Sequence, residues 1–335
     1  MKSLFLRIFM PVLLVPFLFA VCSAADKIVR VGHQPNVNHA NVVIADKKGF
    51  FKAEGLNVER KAYIAGAPLR EGMLAGNLDI TQMGSTPAIT TAAVGAPIKA
   101  IMTHAGGGAQ HSLIVRADSP IQDPCQTKGL RVGVFVGSMA HYGIMLALKK
   151  KCGMAYEDLK FIMVNPPDAI VQLEAKLLDA IILWEDFGSV AVEDKKIGKR
   201  LIDARDVTLA PGITLVTESF AKNNRELVVK YIRASAKALK FLISNFDESI
   251  EILTKEWNRP KAITISAMQR FFYDPRITKG IVDSWKEEAE FLYAEKKIKE
   301  MPKWNTFIDT RYQEEALKGM TFDPPYVPGS VYFKK

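Results

Sequence analysis

The feature that most constrains the fold of this chain is a repeated alternation of short apolar strands with helical segments. In the first part of the chain, the predicted strands are 28–31, 58–64, 78–83 and 98–102, and the predicted helices are 40–47, 69–75 and 87–94. Parallel strands need a crossover between them, and a helix is the usual crossover. This order therefore predicts a mostly parallel sheet that is covered by helices on both faces.

A second series of the same kind follows the first. Its predicted strands are 113–116, 131–136, 159–164, 180–184 and 213–216, with helices between them. After Asn224 the pattern is helical, and residues 226–243 carry one broad apolar stripe. We therefore predict an α/β fold of two lobes, each a mixed, mostly parallel sheet flanked by helices.

The order of these segments predicts how the chain is divided between the lobes. We expect lobe I to be formed by residues 26–112 and 218–335, and lobe II by residues 113–217. The strands at 113–115 and 214–217 are then expected to cross between the lobes. Two crossing strands form a hinge beside a cleft, which differs from two domains on one flexible linker.

The first 25 residues have the layout of a secretory signal peptide. Two basic residues precede an apolar run over 8–21, and three small residues stand just before Asp26. The apolar run is short for a membrane span and contains two prolines. We expect residues 1–25 to be removed and the mature chain to be exported. An uncleaved N-terminal anchor is the alternative.

A lipid anchor on Cys22 is a further alternative for the N-terminus. The sequence FAVC at 19–22 resembles a lipid-attachment site, but Val21 is bulky where such a site has a small residue. This residue disfavours the anchor. Since no later stretch is long and apolar enough to span a membrane, we expect the mature chain to be soluble.

The charge of the chain disfavours nucleic acid as a partner. The formal net charge of +9 becomes +7 after the loss of Lys2 and Arg7. The remaining basic residues are spread along the chain and mixed with acids, without a basic stripe that carries interleaved aromatic residues. The excess of positive charge mildly favours an anionic solute or a membrane surface.

Cys125 and Cys152 are the cysteines that remain after signal removal. In an oxidising compartment such a pair is expected to form a disulfide. The predicted strand 131–137 and helix 139–151 carry the chain out and back by similar distances, which places both cysteines near one edge of a βα unit. Two separate buried thiols are the alternative.

A series of short motifs occurs in order along nearly the whole mature chain. They are VGHQ at 31–34, KGFFK at 48–52, EGLNV at 54–58, MLAGNLD at 73–79, GSTP at 84–87, GLRVG at 129–133, GS at 137–138, LDA at 178–180, WE at 184–185 and AP at 210–211. The ordered series resembles the periplasmic solute-binding proteins of ABC importers, in the branch for nitrate, sulfonate, taurine and thiamine-precursor pyrimidines. The resemblance implies a periplasmic-binding-protein type II fold, with two α/β lobes joined by two strands.

The resemblance also implies a function. It implies a periplasmic receptor that captures a small organic solute between its lobes and delivers it to an ABC permease and its ATPase. We expect a monomer without a cofactor and without enzymatic activity, because the sequence has no nucleophile motif or paired-carboxylate signature. The enzyme branch of the family carries a cysteine-rich iron site, which this chain lacks. A sensor subunit, or an enzyme on the same fold, is the alternative.

The candidate ligand-binding residues lie where predicted strands end, because ligands bind beyond the carboxyl ends of strands in open α/β sheets. They are His33, Gln34, Asn36, Ser85, Thr86, Gln110, Ser138, His141, Trp184 and Glu185. Ser85 and Ser138 each open a predicted helix, so that two helix N-termini would hold an anion or a carbonyl oxygen from opposite lobes. A turn, a helix cap or a core position would also explain each of these residues.

The class of solute stays open between sulfonate, taurine-like and pyrimidine or aromatic compounds. Trp184 and Glu185 favour a flat ring or an amine, through stacking and an accepted N–H bond, and Glu185 disfavours a bare inorganic anion. The two helix N-termini favour a sulfonate. No metal site is expected, because none of the five histidines has the spacing of a metal-ligand pair.

Overall fold

The structure is a computed structural model, which describes residues 27–323. The predicted signal peptide and the candidate lipid-attachment site at Cys22 lie outside the described residues.

Two five-stranded sheets form the centre of the molecule. Sheet I contains β1 (Ile28–His33), β2 (Asn57–Ala62), β3 (Ile80–Met83), β4 (Ile98–Thr103) and β10 (Ile213–Thr217). Sheet II contains β5 (His111–Arg116), β6 (Arg131–Val134), β7 (Lys160–Met163), β8 (Ala180–Trp184) and β9 (Gly198–Asp203). The strand orders are β2-β1-β3-β10-β4 and β7-β6-β8-β5-β9, and only β10 and β5 run against the other strands of their sheets.

Helices cover both sheets. Those before β10 are α1 (Ala40–Lys47), α2 (Phe50–Ala53), α3 (Gly66–Leu74), α4 (Ser85–Ala93), α5 (Met139–Cys152), α6 (Pro166–Glu174) and α7 (Phe187–Ser189). Those after β10 are α8 (Glu218–Asn223), α9 (Arg225–Ser244), α10 (Phe246–Trp257), α11 (Lys261–Met268), α12 (Lys279–Ala294), α13 (Trp304–Phe307) and α14 (Arg311–Ala316). Within residues 27–323, none of the helices combines the length and the apolar character that a bilayer span requires.

Local sequence explains where the main elements begin and end. The strands β3 and β8 are buried along their whole length, which suits their central positions and the apolar sequence of β8. Helix α5 begins after Ser138, whose hydroxyl accepts a hydrogen bond from the His141 N–H at 3.2 Å. It ends before Gly153, which has the left-handed backbone (φ 65°) that glycine adopts without strain.

The chain crosses between the sheets at 104–110 and at 204–212. The prediction of hinge strands at 113–115 and 214–217 is wrong. The first lies within β5, paired with β8 and β9, and the second lies within β10, between β3 and β4. Both strands are apolar because they are buried inside a sheet, and an apolar run does not reveal which sheet it joins.

Strand β9 was not predicted from the sequence. It lies at the edge of sheet II and contains Lys199, Arg200 and Asp203. Its charged side chains and edge position leave it without a continuous apolar run.

The predicted disulfide is confirmed. Cys125 and Cys152 are bonded, with their Cα atoms 5.3 Å apart. The bond ties the short helical turn Pro124–Thr127 to the last residue of α5. It therefore closes the βα unit built from β6 and α5.

The lobes also touch at two places beside the crossings. Phe291 of α12 packs against Tyr142 and Tyr156 of lobe II, with ring centroids 5.2 Å and 6.1 Å apart. On another side, Asp186 of lobe II pairs with Arg259 and accepts a hydrogen bond from the Val37 N–H at 3.2 Å. The cleft between the lobes is therefore closed in this structure.

Candidate functional site

A cavity of about 330 Å³ lies between the two sheets. Five of the predicted ligand-binding residues line it, namely Gln34, Asn36, Gln110, Ser138 and Trp184. They come from the end of β1, from a crossing segment, from the N-terminus of α5 and from the end of β8. The strand-end rule thus brings together residues that are as much as 150 positions apart, from Gln34 to Trp184.

Some of these residues also have structural hydrogen bonds. The Asn36 side chain accepts from the Asn38 N–H at 3.2 Å and begins the helical turn Val37–His39. The side-chain amides of Gln34 and Gln110 donate to the carbonyl oxygens of Ile64 and Ala210, at 3.1 Å and 3.3 Å. The loops around the cavity are therefore held in place before a solute binds.

His33 and His141 do not line the cavity. His33 is buried, which lowers its pKa to about 4, and its Nδ1 lies 3.1 Å from the Gln34 carbonyl oxygen. His141 packs edge-on against Phe161, with ring centroids 4.5 Å apart, and burial lowers its pKa to about 4 as well. Both histidines are neutral core residues at neutral pH.

Ser85 and Thr86 also lie outside the cavity wall. Their hydroxyl groups donate hydrogen bonds to the two carboxylate oxygens of Glu288 on α12. Burial raises the pKa of Glu288 to about 7. The side chains predicted to hold the solute at α4 are therefore already occupied by a carboxyl group of the protein.

Glu185 is fully buried and faces away from the cavity lining. It pairs with Arg200 at 2.6 Å and with Arg270 at 3.4 Å. It also accepts hydrogen bonds from the N–H and the hydroxyl of Ser189, at 2.9 Å and 2.8 Å. The argument that Glu185 disfavours an anion therefore loses its basis, because two guanidinium groups neutralise this carboxylate.

Three helices open onto the cavity with their N-termini. Gly66 and Ala67 belong to the first turn of α3, Gly84 is the N-cap of α4, and Met139 and Ala140 begin α5. The first amides of a helix have no partner within the helix, and the helix dipole adds positive potential there. Such ends bind anions.

Two cations add to this potential. Arg70 of α3 and Lys297, which follows α12, both line the cavity. The Lys297 ammonium lies 4.5 Å from the centre of the Tyr156 ring of lobe II. None of the described residues that line the cavity is an aspartate or a glutamate. The cavity is therefore electropositive.

The wall formed by lobe II is aromatic and apolar. Trp184 is 8% exposed, and its ring packs edge-on against Phe135, with centroids 6.4 Å apart. The Trp184 indole N–H has no hydrogen-bond partner among the described residues. A buried donor of this kind is costly unless something in the cavity accepts its hydrogen bond.

Sequence reasoning missed Arg70, Lys297, Phe135 and Asn38. Arg70 lies one turn after Gly66, so a helix beginning at Gly66 instead of Leu69 would have placed it near the cavity. Lys297 gave no signal, since it stands in a lysine-rich stretch that is typical of a solvated surface. Asn38 follows two predicted site residues, and extending that loop would have found it.

A family model described as "NMT1/THI5 like" matches residues 36–249. The chain is 27% identical over 317 residues to the "Putative aliphatic sulfonates-binding protein" of Bacillus subtilis (strain 168), covering 90% of this chain and 94% of that protein. It is 26% identical over 239 residues to the "Taurine-binding periplasmic protein" of Escherichia coli (strain K12), covering 70% of this chain and 72% of that protein.

A solved structure has the same architecture. The alkanesulfonate-binding protein SsuA from Xanthomonas axonopodis pv. citri, bound to MOPS, superposes with a TM-score of 0.77 at 19% identity. The match covers 86% of this chain and 100% of that chain. The predicted two-lobed α/β fold is thereby confirmed.

Proposed function

We propose, from the premise that this chain belongs to the NMT1/THI5-like family, that it is the solute-binding receptor of an ABC importer and takes an organic sulfonate. The family match confirms the resemblance predicted from the ordered motifs. The relatives named above are described as binding aliphatic sulfonates or taurine, and their similarity spans most of this chain.

The charge of the cavity carries the choice of a sulfonate. Arg70, Lys297 and the first turns of α3, α4 and α5 surround a space whose described lining has no carboxylate. A sulfonate has a full negative charge and three acceptor oxygens, which need many donors from several directions. The helix N-termini and the two cations supply these donors.

The apolar wall supports an organic group on that sulfonate. Trp184 and Phe135 offer ring surfaces, and Val136 and Met139 add aliphatic contact. A bare inorganic anion would leave these side chains facing water. The indole N–H of Trp184 would donate to one sulfonate oxygen, which satisfies a buried donor.

A taurine-like solute with an ammonium group is the second candidate. The Asn38 side-chain oxygen is buried in the cavity wall without a partner among the described residues. An acceptor of this kind would receive a hydrogen bond from an ammonium or hydroxyl group on the solute. A simple amine or a cationic pyrimidine is disfavoured, since it would face Arg70 and Lys297 without a neutralising carboxylate.

The mechanism is closure of the lobes around the solute. Arg70 and Gln34 lie beside sheet I, whereas Ser138 and Trp184 come from lobe II, so a solute in contact with both stabilises the closed form. The closed receptor would then be recognised at the periplasmic side by the permease, whose ATPase drives import. We infer that it acts as a monomer, because one chain supplies both walls of the cavity.

A matched ligand panel tests the ligand class. We expect 1-propanesulfonate and taurine to raise the melting temperature of the mature protein and to bind in calorimetry. Butanoate should bind more weakly, because a carboxylate has fewer acceptor oxygens, and propylamine should not bind. The proposal would be contradicted if propylamine alone bound, or if neither 1-propanesulfonate nor taurine bound. Recovery of the sulfonate unchanged after long incubation separates a receptor from an enzyme on the same fold.

A further inference from the structure

A carboxyl group is buried directly behind the N-terminus of α4. Glu288 is fully buried on α12, and its two oxygens accept hydrogen bonds from the hydroxyls of Ser85 and Thr86. In the sequence, Glu288 is 203 residues from Ser85 and 202 residues from Thr86, so the contact depends on the tertiary fold. The site described above does not use this carboxyl group.

The position of Glu288 couples it to the cavity. Gly84 and Pro87, which flank Ser85 and Thr86 in the same helical turn, both line the cavity. An anion in the cavity and an ionised Glu288 would therefore lie on opposite sides of one turn of α4. Two negative charges with buried protein between them repel each other, and the repulsion is weakly screened.

We propose that Glu288 is a proton-linked positioning residue, which takes up a proton from the solvent when an anionic solute enters the cavity. The inference rests on the proposed function, because it needs an anion in the cavity. The neutral carboxyl group keeps both hydroxyl contacts by donating to one and accepting from the other, so that α4 stays in place.

The groups around Glu288 leave it free to make this change. Helix α4 presents only hydroxyls to it, and lobe II presents Tyr142 and Tyr156, whose pKa values burial raises above their usual range. These tyrosines stay neutral. On α12, Glu287 is exposed, and Glu295, which follows the helix, pairs with Lys149 at 2.8 Å. The other charged groups beside the cavity are Arg70 and Lys297.

The raised pKa of Glu288 places the pH dependence of solute binding near neutral pH. Because burial raises its pKa to about 7, the group is partly ionised at pH 7 in the free protein. The charge of a bound anion raises this pKa further, so that binding and proton uptake occur together. The dissociation constant should then be constant below about pH 6 and should rise with pH above about 7, by up to about tenfold per pH unit.

The buried histidines do not produce the same profile. Burial lowers the pKa of His33 and His141 to about 4 and that of His111 to about 3, so they stay neutral between pH 6 and 8.5. His111 also lines the cavity, so the Glu288→Gln variant decides whether a proton taken up in this range belongs to Glu288.

Calorimetry with 1-propanesulfonate in buffers of different ionisation enthalpy measures the proton directly. At pH 7.5 we expect the wild type to take up a fraction of one proton per solute bound. Glu288→Gln should bind the sulfonate with no proton uptake and with a dissociation constant that is flat from pH 6 to 8.5. Glu287→Gln, a neighbouring exposed position on the same helix, is the matched control and should keep the wild-type profile.

A second variant protects the test against misfolding of Glu288→Gln. The double change Ser85→Ala and Thr86→Ala removes the two donors that favour the ionised carboxylate, so it should move the rise in dissociation constant to higher pH. Sulfonate binding without proton exchange in the wild type, or an unchanged profile in Glu288→Gln, would overturn the inference while leaving the receptor function intact. Failure of every sulfonate to bind would instead overturn the proposed function.

Discussion

At the scale of single residues, the arrangement of charged side chains sets the electrostatic character of the cavity. Arg70 and Lys297 face a space with no described carboxylate, and Glu185 is neutralised by two arginines outside that space. The same residue types in another arrangement, with Glu185 facing the cavity, would favour an amine. The charge of the cavity therefore depends on which charged side chains are paired, and less on the net charge of the chain.

Arg70 and Lys297 should contribute most of the selectivity for anions. Arg70→Met or Lys297→Met should weaken 1-propanesulfonate binding by about tenfold or more, since a hydrogen bond to a charged group contributes about 1.5–3 kcal/mol. Calorimetry measures the loss. Arg225→Met, which removes a surface ion pair with Glu315, is the matched control. Wild-type affinity in both cavity variants would show that the solute binds elsewhere.

Trp184 should contribute through both its ring and its N–H. Trp184→Phe keeps a ring but removes the donor, so affinity should fall moderately, whereas Trp184→Ala should cause the larger loss. The same change at Trp304, which lies outside the cavity lining, is the control. Equal affinity of Trp184→Phe and wild type would mean that the indole N–H does not bind the solute.

We expect Glu185 to affect the stability of the folded protein and not the class of solute that binds. Glu185→Gln leaves Arg270 and Arg200 with less compensating charge in a buried place, which should lower the free energy of unfolding by about 3 kcal/mol. Urea denaturation measures this change. If the variant kept its stability and began to bind amines differently, Glu185 would have to face the solute.

At the scale of elements, helix α5 connects the cavity to the disulfide. Its N-terminus opens onto the cavity, and its last residue is held by the disulfide. The backbone amides at its start remain in place when the Ser138 hydroxyl is removed, so the cap serves the helix more than the solute. The bond at the other end limits how far the helix can unwind from lobe II.

Removal of the disulfide should destabilise lobe II. Replacing both Cys125 and Cys152 by serine should cost roughly 3.5 kcal/mol, because the bond closes a loop in the unfolded chain. Chemical denaturation of the double variant checks the value. Sulfonate affinity measured well below the unfolding transition should stay close to wild type, and a large loss of affinity would mean that the bond also shapes the cavity.

At the scale of the whole molecule, the five histidines are all buried, and the burial lowers their pKa values, to about 4 for His33 and His141 and to about 3 for His104 and His111. Neutral histidines in the folded state must charge on unfolding in acid. These histidines therefore make the folded state more stable at neutral pH than in acid.

The free energy of unfolding should fall as the pH drops from 6.5 towards 4. Below pH 6.5 the unfolded chain binds more protons than the folded chain, so each of these histidines withdraws about 2 kcal/mol of stability by pH 5. Glu288, whose pKa is raised to about 7, acts in the opposite sense and offsets part of this loss. Urea denaturation at pH 5 and pH 7 tests the sign. His141→Gln should show a smaller loss than wild type, and a gain of stability at pH 5 would contradict the assignment.

Periodicity along the chain was enough to predict most of the fold. Helix α1 and strand β8 occur at the predicted bounds, and α9 extends one residue beyond the predicted apolar stripe at each end. These elements depend on local apolar patterns and on helix start and stop signals, which short stretches of sequence contain. The disulfide was equally predictable, because its cysteines lie within one βα unit.

The composition of the cavity wall depended on the tertiary structure. Gln34, Asn36, Ser138 and Trp184, which line the cavity, were predicted from strand-end positions, which are a property of topology. The partner of Ser85 and Thr86 on α12 was not found, nor were the arginines that neutralise Glu185. Chain closure brings such residues together from distant positions, and side-chain direction at those contacts is set by packing. The sequence by itself therefore determined the elements and the strand ends that meet at the cavity. Only the tertiary structure decided which charges face that cavity, because electrostatic pairing acts through space and not along the chain.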